Sequence, residues 1–230
     1  MTDYRIGRLV AATFVVPAVA LLALATVASA QATGITPSNA AMAQGQAAAV
    51  AKARADSARY PYTTADVNFM AGMIHHHAQA IIMAKMAPSH GASPAVRTLC
   101  DRIINAQQDE ITAMQRWLRD RNQTVPEATA TGMKMVMNGL EHEMLMPGML
   151  SDAQMKELDA SRGPKYDRLF LTGMIQHHQG AVSMVTDLFN SYGAAQDELT
   201  FKFASDVQVD QTTEIARMQR MLFMLELGGH

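Results

Sequence analysis

The chain contains a copy of itself. Asp66 to Met83 reads DVNFMAGMIHHHAQAIIM, and Asp167 to Met184 reads DRLFLTGMIQHHQGAVSM. At that offset (167 − 66 = 101), Asp66, Phe69, Gly72, Met73, Ile74, His76, His77, Ala80 and Met83 coincide with Asp167, Phe170, Gly173, Met174, Ile175, His177, His178, Ala181 and Met184. A second pair of segments matches at 211 − 107 = 104, where Gln107, Glu110, Ile111, Met114, Gln115, Arg116 and Leu118 meet Gln211, Glu214, Ile215, Met218, Gln219, Arg220 and Leu222. Each repeat is therefore two segments. A unit that cannot bury its apolar face alone is completed by its copy.

The segments carry helical signals. Thr63 and Asp66 form a cap pair for the first, over about Ala65–Ala87, and Pro88 and Gly91 stop it. Ser93-Pro94 opens the second, with Val96, Leu99, Cys100, Ile103, Ile111, Met114 and Leu118 on one face. Gly163-Pro164 opens the third, and Gly193 separates it from the fourth, whose face is Leu199, Phe203, Val207, Ile215, Met218, Leu222 and Leu225. Short connections make each repeat an antiparallel hairpin. The fold class expected is all-α: a four-helix bundle over residues 62–230, with repeat one at 62–121, a Met-rich crossover at 122–162 and repeat two at 163–228. Ser151-Asp152-Ala153-Gln154 predicts a short helix inside the crossover.

Residues 1–30 read as a secretory signal: Arg5 and Arg8, an apolar run from Leu9 to Ala25, then Ala28-Ser29-Ala30. Cleavage would leave no membrane span, and the expected location is periplasmic or secreted. The competing reading is an uncleaved anchor helix. Residues 31–61 are Ala- and Gln-rich and read as a flexible tether with a nascent helix near Gln44–Ser57. The net charge of −2 carries no nucleic-acid footprint. A lone cysteine, Cys100, excludes an intramolecular disulfide and a CxxC site.

Histidine and methionine carry the chemistry. On a wheel of 100° per residue, Phe69, Met73, Ala80 and Ala84 share the buried face of the first helix. His76 and His77 flank that face, and His75 points to solvent. The third helix repeats the layout with Met174, His177 and His178, and Gln176 stands in place of His75. Gln107 and Gln211 interrupt apolar stripes at the level of the histidine pairs and suit orienting an imidazole. A single buried histidine is ordinarily a satisfied core residue, and methionine is ordinarily packing. Two adjacent pairs recurring in register shift the balance, because imidazoles buried without a task cost stability. The metal-ligand candidates are Met73, His76, His77, Met83 and Met114, with Met174, His177, His178, Met184 and Met218 in the second repeat.

Thioether and imidazole with few acidic neighbours favour a soft or borderline ion, Cu(I) first. The chain has no Glu-x-x-His, so a di-iron carboxylate centre is not expected. A second group, Met133, Met135, Met137, His142, Met144, Met146 and Met149, lies in the crossover. It reads either as a capture arm for Cu(I) or Ag(I) or as an apolar strap along the bundle.

Met174-Ile175-Gln176-His177-His178-Gln179-Gly180-Ala181 resembles the signature of domain of unknown function family 305, exported bundles that include CopM-like copper-tolerance proteins. Ile103–Leu118 and Gly148–Leu158 are similar to further segments of that family. The resemblance implies a ferritin-like bundle and, for some members, periplasmic copper or silver binding. Repeat one departs, with His77-Ala78-Gln79-Ala80 in place of His-Gln-Gly-Ala. The function expected is sequestration or handing on of Cu(I)/Ag(I), with a metal ion and another copper-handling protein as partners. The alternatives are a metal-dependent oxidoreductase using the same pocket and a structural bundle without metal.

Overall fold

The computed structural model describes residues 37–59, 62–130, 132–137 and 140–228. The expected signal segment lies outside the described residues. The chain divides into two compact units, Met1–Arg54 and Ala55–His230. α1 (Pro37–Arg59), most of which belongs to the first, is helical well beyond the nascent stretch expected. Alanine has the highest intrinsic helix propensity, and residues 41–52 are exposed throughout.

The second unit contains α2 (Thr64–Lys85), α3 (Pro94–Asp120), β1 (Met133–Met137), β2 (Leu140–Met144), α4 (Asp152–Ala160), α5 (Pro164–Asn190) and α6 (Glu198–Glu226). The helix starts follow the local chemistry. The Asp66 carboxylate accepts from the Thr63 amide at 2.7 Å, while the Thr63 hydroxyl accepts from the Asp66 amide. Ser93 caps α3 ahead of Pro94, and Ser151 with Gln154 closes the box that opens α4. Gly163 enters α5 at φ +57°, a left-handed conformation that costs glycine little.

α2 packs on α3, α5 packs on α6, and the two hairpins meet through α2 and α5. That contact is antiparallel and nearly two-fold. Met184 Cε lies 3.5 Å from where a β-carbon would stand on Gly72, and Met83 Cε lies 3.4 Å from the same point on Gly173. The repeated glycines thus leave room for the repeated methionines of the opposite helix. On α6 the buried residues are Thr200, Ala204, Val207, Gln211 and Met218, whereas Leu199 is exposed. The face is rotated from the one expected, because its position against α5 sets it rather than hydrophobicity alone.

The crossover is a strap with structure of its own. β1 and β2 form an antiparallel hairpin, a small departure inside an otherwise helical fold. Beyond it, Met146, Met149 and Leu150 enter the core. The strap crosses both central helices and is fixed differently on each. On α2 the Gln79 amide donates to Leu150 O (2.9 Å), and its Oε1 accepts from Leu150 N (2.7 Å). On α5 a β-carbon at Gly180 would stand 1.9 Å from Pro147 O, so only glycine admits the strap backbone there. Gln79 and Gly180 occupy equivalent repeat positions (180 − 79 = 101). The departure of repeat one from the His-Gln-Gly-Ala pattern is thus the strap's second anchor.

His75 is a correction. It was expected in solvent, yet it is buried and its Nδ1–H donates to Thr129 O at 3.1 Å. The strap covers the helix face that periodicity marks as outward.

Candidate metal centre

The antiparallel crossing of α2 and α5 brings the two histidine pairs together. The His76 and His177 ring centroids lie 3.7 Å apart, with the planes tilted by 39°. Each ring has its pair neighbour farther off, His77 at 6.2 Å from His76 and His178 at 6.3 Å from His177. All four side chains are fully buried.

Their protons are partly assigned by their partners. His76 Nε2–H donates to Pro147 O at 3.0 Å. A carbonyl only accepts, so Nδ1 of that ring carries the lone pair in the neutral form. His178 Nε2–H donates to Glu214 Oε2 at 2.8 Å, which likewise leaves its Nδ1 as the acceptor. His77 Nε2 approaches Glu110 Oε2 to 2.7 Å. That contact is off the line of a hydrogen bond, and both ring nitrogens of His77 lack a hydrogen-bond partner among the described residues. Burial, and secondarily the neighbouring His77, holds His76 well below the ordinary imidazole range. Burial, then His76, does the same for His177. Two imidazoles are therefore kept neutral, the form that ligates metals.

Glu110 and Glu214 are the residues sequence reasoning passed over. Both lie in the second repeated segment, in register, and this recurrence was the signal that could have found them. The premise of few acidic neighbours is corrected accordingly. The helical twist brings these glutamates, one turn beyond Gln107 and Gln211, onto the outer histidine of each pair. Asp210 joins them electrostatically: burial, then Glu110, Asp206 and Glu214, raises its pKa. Gln107 and Gln211 are buried as expected, but neither hydrogen-bonds a histidine; both polar atoms of Gln107 and the Oε1 of Gln211 lack partners among the described residues.

The thioethers divide on either side of the histidine layer. Met73, Met114 and Met184 share one apolar cluster with Met70, Met146 and Met149. Met83, Met174 and Met218 lie in the other. Met73 and Met83 of repeat one are thus not together: Met73 sits with Met184 of the opposite repeat. The first cluster is the sulfur-rich one, and Met146 Sδ comes within 2.8 Å of the β-carbon position on Gly72, one turn before His76. A cavity of about 300 Å³ between α3 and α6 reaches that cluster at Met70 and Met114.

The donor chemistry fits a soft or borderline ion in one respect and limits it in another. Orphaned buried polar atoms concentrated in a single layer are the mark of a missing water or ion, and here they are largely imidazole nitrogens and Gln107. Among the described residues, however, no three His, Cys, Asp or Glu groups are gathered to hold a metal ion. Nitrogen and carboxylate alone make no ready site; sulfur, or a turn of the rings, has to complete one.

Among the described residues no helix is long and apolar enough to cross a membrane. No curated protein matches the chain significantly. Among solved structures, a DUF305 protein of Streptomyces coelicolor is similar at 25% identity and a TM-score of 0.59, covering 70% of this chain and 94% of its own. A DUF305 fragment of Deinococcus radiodurans is similar at 28% identity and a TM-score of 0.58, covering 70% of this chain and 97% of its own. CopM in its Cu(II)-bound form is similar at 28% identity and a TM-score of 0.53, covering 68% of this chain and 95% of its own. CopM in its Cu(I)-bound form is similar at 27% identity and a TM-score of 0.51, covering 68% of this chain and 94% of its own. The Domain of unknown function (DUF305) profile matches residues 66–222, and the chain belongs to that family.

Proposed function

We propose that the chain is an exported copper-binding protein that sequesters Cu(I), or hands it on, without catalysis. The observation that carries this reading is the contact of His76 with His177 at 3.7 Å in a fully buried layer whose imidazole nitrogens are left over. The residues that would hold the ion are His76, His77, His177 and His178, completed by thioethers. On the sulfur-rich side these are Met73, Met114 and Met184; on the other they are Met83, Met174 and Met218. Thioether donors select Cu(I) over hard ions, and they withstand an oxidising compartment where a thiol does not. Cys100, with burial pushing its thiol up to about 12, stays protonated and takes no part. Similarity to CopM, solved with Cu(I) and with Cu(II), supports the choice of metal.

Glu110 and Glu214 would anchor His77 and His178 through the ring nitrogen that faces away from the ion, the usual arrangement of carboxylate behind a ligating histidine. The test is an anaerobic Cu(I) titration against a competing chelator. Replacing His76, His77, His177 and His178 with asparagine should abolish the tight equivalent. Affinity unchanged in that variant would falsify the reading.

A further inference from the structure

We infer that the strap makes the two halves of the histidine layer unequal. Met146 adds a thioether to the half around Gly72, which therefore takes the first Cu(I) or Ag(I) ion, while Leu150 denies one to the half around Gly173. The inference rests on the copper reading for its metal, and goes beyond it in naming a ligand outside the repeats and an order of filling.

The repeats build two half-sites of like design. Gly72 and Gly173 are equivalent positions, each one turn before the first histidine of its pair, and so on the same helix face as that histidine. Each is faced by the ε-methyl of the opposite repeat's methionine, Met184 at Gly72 and Met83 at Gly173. The strap passes both glycines and breaks the likeness. At Gly72 the atom nearest the β-carbon position is Met146 Sδ, at 2.8 Å; at Gly173 it is Leu150 Cδ2, at 3.0 Å. The apolar clusters divide the same way. Met146 lies with Met73, Met114 and Met184, and Leu150 lies with Met83, Met174 and Met218. The strap thus brings sulfur to one half and hydrocarbon to the other.

Packing does not require that sulfur. Methionine ordinarily fills gaps, but the corresponding slot in the other half is filled by leucine. Met146 also turns its sulfur, rather than its methyl, to the Gly72 position. Met149 is buried beside it, but its sulfur accepts from the Met146 amide at 3.3 Å. Met146 is therefore the thioether the strap has to give. Its place is fixed by its neighbour: Pro147 O accepts from His76 Nε2–H at 3.0 Å, which pins the strap to the histidine layer. Leu150 is fixed by its two hydrogen bonds to Gln79. Thioethers select soft ions, so one more of them biases the Gly72 half toward Cu(I) and Ag(I).

The experiment is Ag(I) titration of the full chain, read by affinity and by the ¹³C ε-methyl resonances of methionine. It compares the unaltered protein, M146L and M146L/L150M. Exchanges of leucine and methionine nearly conserve volume and are well tolerated in cores, and the order of filling in the unaltered protein needs no variant. There, substoichiometric Ag(I) should shift the Met73, Met146 and Met184 methyls before those of Met83 and Met174. M146L should weaken the first equivalent by at least about tenfold, the loss that even an outer partner of a metal ligand brings. M146L/L150M carries the thioether across the layer, so it should recover affinity with the order reversed. Simultaneous shifts in the unaltered protein overturn the inference. So does undiminished affinity in M146L, or a double variant that still fills the Gly72 half first. Failure of the copper reading looks different: the four-histidine variant then binds Ag(I) as tightly as the unaltered chain.

Discussion

Asp66 and Asp167, equivalent positions of the two repeats, each tie down the other's hairpin. Asp66 Oδ1 accepts from Ala195 N at 2.7 Å, in the α5–α6 connection. Asp167 accepts from Ser93 N at 3.1 and 3.2 Å, at the start of α3. Both carboxylates are buried, and the antiparallel crossing puts them at opposite ends of the bundle. The exchange locks the hairpins in the one alignment that stacks His76 on His177.

Removing either carboxylate leaves a buried backbone amide without its acceptor, which costs about 1–3 kcal/mol. D66A and D167A should each lower stability by that amount, and the double variant should lose close to the sum, since the sites share no partner. D66A should be the worse, because it also opens the Thr63 capping box. Urea denaturation followed by the fluorescence of Trp117, the sole tryptophan, gives the values; it is buried under the Arg121 guanidinium at 4.1 Å and reports on the core.

The strap makes its own prediction. G180A forces a methyl group onto the Pro147 carbonyl, a backbone atom that cannot swing aside, so the strap must lift. Overpacking of this kind costs about 1–3 kcal/mol. Q79L keeps volume but strips Leu150 of two hydrogen bonds. Both should raise amide exchange at residues 146–150 and free His76 Nε2 from Pro147, while helix content by circular dichroism stays level. Unchanged exchange in both would show that the strap is held by something else.

What could be read from the sequence was local. Thr63 with Asp66, Ser93 with Pro94 and Ser151 with Gln154 announce helix starts within four residues, and the repeat announces the hairpins. The alternation of methionine with Lys134 and Val136 is also a strand signal, but the partner strand that completes it is named by no local pattern. The rest depended on distant segments. His75 is inside because Thr129 covers it. Glu110 reaches His77, and Gln107 does not, because of how α3 is rotated against α2. Met73 pairs off with Met184 rather than Met83 because two helices cross head to tail, which no period within either helix specifies.

The buried imidazoles of His76 and His177, with pKa values lowered by burial, should make stability fall in acid. For His76 and His177 the unfolded value is 6.5 and the native value well below it. Between the two, the unfolded chain binds protons that the native chain does not, so stability rises with pH across that window. It is fully present above 6.5 and drains away as pH falls toward the native values. Melting temperature should therefore drop from pH 7.5 to 5, and H76N/H177N should flatten that slope. The slope is the readout, since the substitutions shift the baseline by themselves; an equally steep profile would assign the acid sensitivity to other groups.

Glu110 and Glu214 are chemically alike but geometrically different, and the difference is measurable. Glu214 accepts an aligned hydrogen bond from His178, whereas Glu110 meets His77 at 2.7 Å out of line. A carboxylate behind a ligating imidazole fixes its orientation and raises its basicity, and removing it costs roughly 10–100-fold in metal affinity. E214Q should fall in that range for Cu(I). E110Q should lose less, because Glu110 lies beside His77 without an aligned hydrogen bond to it. If an ion draws His77 into line with Glu110, the two losses converge, and the two halves of the site then hold the metal alike. Competition titrations of both variants, run anaerobically beside the four-histidine variant, separate these cases. Equal affinity in all three glutamate states, Glu, E110Q and E214Q, would remove the carboxylates from the site altogether.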